Sequence, residues 1–204
     1  KKLCAVLLAL SLACPSFHAQ NLLNETPEQK DKRMEWFHKA KLGIFIHWGI
    51  YAVKGVSESW SFYNKYLPHD EYLKQCEGFT ASKYDPKAWV ELIKESGAQY
   101  TVLTTKHHDG VALWDTKQNG ISVVKNTPAK RDLVTPFVNE VRKAGLRLGL
   151  YYSLPDWSHP DYPNMTRTDV RYKDDPKRWD DFCKFNFGQL KELNTTYKPD
   201  LYWF

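Results

Sequence analysis

Three histidines follow the ends of two short apolar segments. His47 closes the first segment, and the adjacent pair His107-His108 closes the second. Neighbouring side chains on a strand point to opposite faces, so both members of the pair can reach one cavity only where the strand has ended. Asp109-Gly110 supplies residues that favour such a turn. Imidazole groups hydrogen-bond to hydroxyl groups, transfer protons near neutral pH and bind metal ions. Alternatively, one histidine of the pair lies in the site and the other only supports its neighbours.

A second group of candidates lies in the connections beyond these segments. Glu58-Ser59-Trp60 places a carboxylate close to an indole. Such a combination can bind a sugar hydroxyl and stack on the apolar face of a sugar ring; the alternative is a surface glutamate next to a core tryptophan. Tyr151-Tyr152-Ser153 ends a third apolar segment, and Asp156-Trp157 follows it. Alternation along a strand turns one of the two tyrosines inward but does not identify which.

Helical patterns separate these apolar segments. Asp85-Pro86 predicts the start of a helix and Gly97 its end, with a second helix at about 132–144 and a last one at about 176–193. A further helical stretch precedes the first strand and runs up to Lys41. The apolar spacing predicts inward faces formed by Trp89, Leu92 and Ile93 on one helix, and by Trp179, Phe182, Cys183, Asn186 and Leu190 on the last.

The order of the elements indicates the fold class. Short apolar strands separated by helices are typical of an α/β protein with a parallel sheet covered by helices. No glycine-rich phosphate-binding turn follows a strand, which argues against a doubly wound nucleotide-binding sheet. Candidate residues at several strand ends, with long loops beyond them, are typical of a (β/α)8 barrel, which takes roughly 250 residues. The sequence therefore predicts that residues 20–204 form the N-terminal half of such a barrel, cut after its fourth strand, Asp200–Phe204.

Composition limits the classes of partner. With 42% hydrophobic residues the 204-residue chain is expected to be globular, and its 15% aromatic content fits either a large aromatic core or a carbohydrate site. The formal net charge is +5, but lysine and arginine are scattered and form no basic stripe, so nucleic acid is not an expected partner.

The first nineteen residues have the pattern of a secretory signal. Lys1-Lys2 precede an apolar run that ends at Ala13, and a small residue, Ala19, suits the cleavage site. The run is too short to span a bilayer as a mature helix, so no integral membrane span is expected. We expect export to a periplasm, the exterior or, in a eukaryote, a lysosome, with lipid attachment at Cys14 less favoured. Cys76 and Cys183 would then remain, paired or as free thiols.

Five blocks of the sequence together resemble glycoside hydrolase family 29, the α-L-fucosidases. They are Phe45–Gly49, Thr105–Gly110, Lys130–Val134, Tyr151-Tyr152-Ser153 with Asp156-Trp157, and Leu201–Phe204. The resemblance runs from about residue 25 to the last residue. It implies a retaining exo-hydrolase on a (β/α)8 barrel, usually followed by a β-sandwich domain. The implied partner is a fucosylated oligosaccharide or glycoconjugate, and no cofactor or metal is expected.

The resemblance also assigns roles to residues of this chain. His47, His107 and His108 fall where the family places histidines that hydrogen-bond the fucose hydroxyls. Glu58 and Trp60 approximate the family's sugar-gripping Glu-Trp pair, although Ser59 separates them here. Tyr151 falls on the family's site tyrosine, and Trp157 is expected at the rim of the site.

The resemblance places neither catalytic carboxylate within this sequence. The family nucleophile is an aspartate that would directly follow Phe204, and the acid/base would come later. We therefore expect the 204-residue chain alone to be inactive. Asp200 is not a substitute, because it starts the fourth strand at the opposite end of the barrel. Two alternatives stay open: a non-catalytic fucose-binding protein, and a metal-dependent barrel hydrolase that uses the three histidines.

Overall fold

A computed structural model describes residues 25–204. The secretory signal predicted at residues 1–19, including Cys14, lies outside the described residues. The chain divides after Lys39 into two units. The first contributes helix α1, Pro27–Lys39, whose start is fixed by reciprocal hydrogen bonds between Thr26 and Gln29. The second unit, from Ala40 onward, holds the sheet and the remaining elements.

The sheet consists of four parallel strands. They are β1 (Gly43–Ile46), β2 (Tyr100–Lys106), β3 (Arg147–Tyr152) and β4 (Leu201–Trp203), paired in the order β1-β2-β3-β4. Each strand therefore pairs with its neighbours in sequence, and helices run between them. This is the arrangement of the first half of a (β/α)8 barrel, so the predicted fold class is confirmed.

The long connection after β1 is helical rather than irregular. It contains a 3-10 helix at Ile50–Ala52 and the short helices α2 (Trp60–Tyr63), α3 (His69–Leu73) and α4 (Gln75–Gly78). Elements of four or five residues complete barely one turn and cannot show a helical repeat. The sequence-based prediction therefore did not include these short helices.

Helices α5 (Pro86–Glu95) and α7 (Val134–Lys143) pack against each other on one face of the sheet. The predicted cap of α5 is confirmed, because the Asp85 carboxylate accepts a hydrogen bond from the Ala88 amide at 3.0 Å. A short helix, α6 (Val123–Asn126), precedes α7. The predicted inward face of α5 is wrong at Leu92, which is 68% exposed, while Val90 and Ile93 are buried.

The last helix, α8 (Pro176–Tyr197), extends one turn beyond the predicted end and is stopped at Lys198, which has φ +46°. Two residues predicted to face inward, Trp179 and Cys183, are exposed. Phe182 and Asn186 are buried as predicted, and Leu190 is partly buried against the core. The buried face also includes Phe185, Gln189, Leu193 and Tyr197. Two side-chain amides, Asn186 and Gln189, are buried on this face, because the hydroxyl and ammonium groups of the sheet need hydrogen-bond partners there.

The two faces of the sheet differ in what covers them. Leu103, Leu148 and Leu150 are buried in the cluster formed with α5 and α7. Phe45 and Tyr151 belong to the opposite face, which would be the inside of a barrel, and their rings meet edge to face at 5.9 Å. The site residues sit at the carboxyl end of this inner face.

Cys76 is buried and Cys183 is exposed, and both are free thiols, so they do not pair. Among residues 25–204, no helix combines the length and apolar character that crossing a membrane requires.

Asp200 lies at the amino end of the sheet, as expected. Its carboxylate pairs with Arg142 at 2.5 Å and with Arg147 at 2.7 Å, and it accepts the Leu148 amide at 2.8 Å.

Candidate active site

The three histidines meet at the carboxyl ends of β1 and β2. β1 ends at Ile46, directly before His47, and β2 ends at Lys106, directly before His107. The ring centroids of His47 and His107 are 5.0 Å apart, and those of His107 and His108 are 4.5 Å apart. Residues about 60 positions apart in the chain thus form one continuous imidazole surface.

A tight turn brings both members of the histidine pair to the same side. The Gly110 amide donates a hydrogen bond to the His107 carbonyl at 3.1 Å, which closes the turn predicted at Asp109-Gly110. Gly110 has φ +76°, and a Cβ atom there would lie only 2.4 Å from a carboxylate oxygen of Asp156. Only glycine combines this backbone angle with so close an approach.

The structure separates the two tyrosines that alternation left undecided. Tyr151 faces the histidines: its ring stacks on that of His107, with centroids 5.7 Å apart and planes inclined by 26°. Tyr152 points to the helical side and is fully buried. Its hydroxyl lies 2.7 Å from the Asn186 side-chain oxygen and 2.8 Å from that of Gln189.

The segment Glu58-Ser59-Trp60 reaches the histidines with all three of its side chains. Glu58 lies 3.6 Å from Nε2 of His47, and its backbone has φ +39°, in the left-handed region that non-glycine residues seldom adopt. The buried hydroxyl of Ser59 hydrogen-bonds to Nδ1 of His107. The Trp60 ring, 40% exposed, meets the edge of His108 at 5.7 Å. The intervening Ser59 therefore holds a histidine, while the residues on either side of it flank the cluster.

Trp157 supports His108 from behind. Its ring stacks on Tyr63 at 3.9 Å and contacts His108 at 4.4 Å, and its amide donates to the His108 carbonyl at 2.8 Å. Only 5% of the residue is exposed. The expected rim position is therefore wrong, since the surface available to a ligand belongs to Trp60, which packs on Trp157 at 5.0 Å.

Beneath the cluster lies a buried ion pair that sequence reasoning missed. Lys106 is wholly buried, with Nζ 3.3 Å from the Asp156 carboxylate and 3.0 Å from the Tyr152 hydroxyl. The other carboxylate oxygen of Asp156 accepts the amides of Ser158 and His159 at 3.1 and 2.9 Å. A lysine as the last residue of a buried strand was the available signal, because a buried ammonium requires an anionic partner.

Asp109 is also buried behind the histidines. Its carboxylate accepts hydrogen bonds from the Tyr72 hydroxyl at 2.6 Å and the Val111 amide at 2.9 Å. Burial raises the pKa of Asp109 to about 6, despite the opposing effect of these two bonds. Asp109 thus fixes the turn and is closed off from the surface that the histidines share.

Burial also keeps the histidines uncharged. It lowers the pKa of His107 to about 2 and that of His108 to about 4, with neighbouring histidines and Lys106 acting in the same direction. Burial lowers the pKa of His47 as well, although the Glu58 carboxylate opposes this. At neutral pH the cluster therefore offers neutral imidazoles, each with one N–H donor and one lone-pair acceptor.

No group of three or more histidine, cysteine, aspartate or glutamate side chains within residues 25–204 is arranged to hold a metal ion. The Nδ1 atoms of His107 and His108 are engaged by Ser59 and Ser153 respectively.

A separate cavity of about 630 Å³ opens on the far side of Asp156, between the loops after β2 and β3 and helix α8. None of the three clustered histidines lines it. Its acidic groups are paired: Asp161 with Arg178 at 3.1 Å and Asp181 with Lys177 at 2.6 Å. The cavity therefore presents no unsatisfied charge that would indicate a ligand.

Comparison with known proteins agrees with the geometry. The profile of a family described as "Alpha-L-fucosidase" matches residues 10–204. Tissue α-L-fucosidase of Bos taurus is 33% identical over 184 residues, which cover 82% of this chain and 38% of that protein. A crystal structure of an α-L-fucosidase of glycoside hydrolase family 29 from Bacteroides thetaiotaomicron is similar, with a TM-score of 0.74 and 38% identity over 85% of this chain and 40% of that one.

A second Bacteroides thetaiotaomicron structure is described as a trapped covalent intermediate in complex with 2-fluoro-fucosyl fluoride. It has a TM-score of 0.73 and 37% identity, and covers 85% of this chain and 41% of that one. The chain thus spans about two fifths of the length of these relatives.

Proposed function

The chain belongs to the α-L-fucosidase family, and from that premise we propose that the complete protein is an exo-acting glycosidase that removes terminal α-L-fucosyl residues from glycans or glycoconjugates. The proposed reaction is a double displacement with retention of configuration. The covalent intermediate described for a relative that is 37% identical supports this choice.

The observation that carries the proposal is the joint surface of His47, His107 and His108, with Glu58 and Tyr151 beside it. A sugar presents several hydroxyl groups on one ring, each able to donate and to accept a hydrogen bond. Three neutral imidazoles in a row, with ring centroids 5.0 Å apart for His47 and His107 and 4.5 Å apart for His107 and His108, provide matching groups together with one carboxylate. We assign these five side chains to fucose binding.

Two tryptophans complete the proposed binding set. Trp60 is partly exposed next to His108 and offers an aromatic face to the apolar C–H groups of the sugar. Trp157 lies behind both side chains and contributes by holding them in place. The apolar wall extends to Phe45, whose ring contacts both Tyr151 and Trp203.

The two catalytic carboxylates are proposed here, because we assign neither of them to a residue that the structure describes. A retaining glycosidase needs two carboxyl groups about 5–5.5 Å apart. The Trp203 ring lies 5.7 Å from Phe45, so the carboxyl end of β4 faces the same site as the histidines. We place the nucleophile on an aspartate that directly follows Phe204. Asp200 is excluded from that role because Arg142 and Arg147 hold it at the opposite end of the sheet.

Replacement of the paired histidines tests the assignment. In the complete protein, His107→Ala or His108→Ala should lower kcat/KM on an aryl α-L-fucoside by at least about tenfold, on the order of 1.4 kcal/mol. His38→Ala is the matched control, because His38 is exposed on α1. Unchanged kinetics in both site variants would refute the binding role, and fucose binding without turnover in the wild-type protein would favour a non-catalytic lectin. Loss of activity on chelator treatment would favour the metal-dependent alternative.

The proposal includes export of the protein. Residues 1–19 would be a cleaved signal and residues 20–204 would belong to the catalytic barrel. Amino-terminal sequencing of the mature protein from the source organism checks this. A mature chain that retains residues 1–19 would contradict it.

A further inference from the structure

The hydroxyl of Ser153 has one proton and three polar neighbours, which are the Pro155 carbonyl, Nδ1 of His108 and the Tyr151 hydroxyl. The Tyr151 hydroxyl has a proton of its own and can donate it to the serine oxygen. Ser153 follows β3 directly and is fully buried. Its Oγ donates a hydrogen bond to the Pro155 carbonyl at 2.6 Å, and the same Oγ hydrogen-bonds to Nδ1 of His108. A carbonyl oxygen can only accept, so the single hydroxyl proton is used in the bond to Pro155.

The bond to His108 must therefore run in the other direction, with Nδ1–H as the donor and the Ser153 oxygen as the acceptor. A neutral imidazole carries one N–H, so Nε2 of His108 then holds a lone pair. Burial favours this neutral form, and the nearby Lys106 charge adds to that preference. Donation of the one hydroxyl proton thus settles which nitrogen of His108 is protonated.

The lone pair points toward the proposed sugar site. Nδ1 and Nε2 lie on opposite edges of the ring, so an Nδ1 atom turned to Ser153 turns Nε2 away from it. Nε2 has no hydrogen-bond partner among residues 25–204. In that part of the chain the buried side-chain nitrogen or oxygen atoms without a partner are the hydroxyls of Tyr51 and Tyr202 alone. Nε2 of His108 is consequently accessible, on the surface flanked by Trp60 and His107.

We propose that Ser153 is a positioning residue that fixes the Nδ1–H tautomer of His108, so that Nε2 accepts a hydrogen bond from one hydroxyl of the bound sugar. Only the identity of the ligand rests on the proposed function; the tautomer follows from the protein geometry. The consequence is a rule of specificity: the hydroxyl facing His108 must donate its proton. A group that can only accept at that position leaves two lone pairs facing each other, which forfeits a buried hydrogen bond.

His107 provides an internal comparison. Its Nδ1 also meets a serine, but the hydroxyl of Ser59 has no second acceptor among the described residues. Ser59 can therefore donate to His107 or accept from it, and neither tautomer is imposed. The two adjacent histidines therefore differ in whether the serine at Nδ1 also donates to a carbonyl, and His107 serves as a comparison for the bond from Ser153 to Pro155.

Nitrogen-15 NMR of histidine-labelled complete protein at pH 7 tests the tautomer directly, without substrate. We expect the resonances of His108, assigned by comparison with His108→Ala, to show a protonated Nδ1 and an unprotonated Nε2. Ser153→Ala should shift His108 toward a mixture of tautomers, and Ser153→Thr, which keeps the hydroxyl, should restore the wild-type pattern. Thr127→Val, which removes a buried hydroxyl bond of 2.7 Å remote from the cluster, controls for general loosening of the fold.

A protonated Nε2 on His108 in the wild-type protein would overturn the proposal. So would a Ser153→Ala spectrum identical to wild type, because Ser153 would then not set the tautomer. If Ser153→Ala fails to fold, the wild-type and Ser153→Thr spectra still decide the question. These spectra can be read even if the protein has no fucosidase activity, so the two proposals fail separately.

Ligand analogues test the direction of the bond to the sugar. Dissociation constants are measured for L-fucose analogues in which each hydroxyl in turn is replaced by hydrogen or by fluorine, which accepts but does not donate. At the position facing His108 we expect both replacements to weaken binding equally, by about tenfold, or roughly 1.4 kcal/mol. Ser153→Ala should reduce that penalty. The proposal is overturned if, at every position where removal of the hydroxyl weakens binding, fluorine retains most of the affinity.

Discussion

Replacing Lys106 with methionine should lower the free energy of unfolding of the complete protein by about 3–5 kcal/mol. The ammonium is wholly buried, 3.3 Å from the Asp156 carboxylate, and that carboxylate is itself buried. At an effective dielectric constant of about 20, two unit charges at this distance attract by about 5 kcal/mol. Methionine fills much of the lysine volume, so the main effect is a buried negative charge left without its partner.

The loss of stability depends on the buried charge that remains after one partner of the ion pair is removed. A double-mutant cycle separates the contribution of the unpaired charge from that of the ion pair itself. Asp156→Asn keeps an oxygen for the amides of Ser158 and His159 but leaves the Lys106 charge unpaired, so it should also cost about 3–5 kcal/mol. In Lys106→Met/Asp156→Asn neither charge remains, and the desolvation penalty of both ions is removed. We expect the double variant to be more stable than either single variant, with a coupling energy of at least about 2 kcal/mol.

Urea unfolding followed by tryptophan fluorescence measures all four proteins. Lys184→Met is the matched control, since Lys184 pairs with Asp180 on the exposed face of α8 and its loss should cost less than about 0.5 kcal/mol. A Lys106→Met variant that loses less than about 1 kcal/mol would refute the reasoning. Strictly additive single losses would refute it as well, because the two charges would then not depend on each other.

Two further predictions concern the turn and the histidines. Gly110→Ala should cost at least about 2 kcal/mol more than Gly145→Ala by urea unfolding, because both have positive φ but only Gly110 meets a carboxylate oxygen 2.4 Å from the added Cβ; equal losses would contradict the close approach. Burial holds the pKa of His107 at about 2 and of His108 at about 4, so the folded protein binds fewer protons than the unfolded chain below pH 6.5. Stability should then fall as the pH drops below 6.5, by up to about 1.4 kcal/mol per pH unit for His107 and by less for the half-buried His108. Asp109, whose pKa is raised to about 6, opposes the fall below pH 6. Unfolding of wild type and His107→Gln at pH 7.5, 6.5 and 6 measures the slope, and equal slopes in the two proteins would contradict the assignment.

The sequence predicted the elements well where the signal was local. The cap at Asp85, the stop at Gly97 and the turn at Asp109-Gly110 each depend on a few consecutive residues, and each agrees with the structure. Burial along the helices was predicted less well. Apolar spacing placed Leu92 and Trp179 inward, whereas both are exposed, because the spacing does not show how far the neighbouring element extends over each helical face.

In the candidate site, too, the sequence predicted features that depend on local signals and did not predict those that depend on distant contacts. The strand-end position of His47, His107 and His108 was readable, because parallel strands bring their carboxyl ends to one edge. The sequence did not reveal the buried position of Trp157, which depends on stacking with Tyr63 from helix α2 in the connection after β1.

The sequence by itself determined the family, the order of the strands and the set of side chains that gather at their ends. These depend on motifs and on backbone periodicities that span a few residues. Only the tertiary structure decided which tyrosine faces the site, where the charge of Lys106 is neutralised and which nitrogen of His108 carries the proton. Each of these was decided by a partner 34 to 50 positions away, Asn186 for Tyr152, Asp156 for Lys106 and Ser153 for His108. Hydrogen-bond direction and charge pairing depend on distances of about 3 Å between such partners, and those distances exist only once the chain has folded.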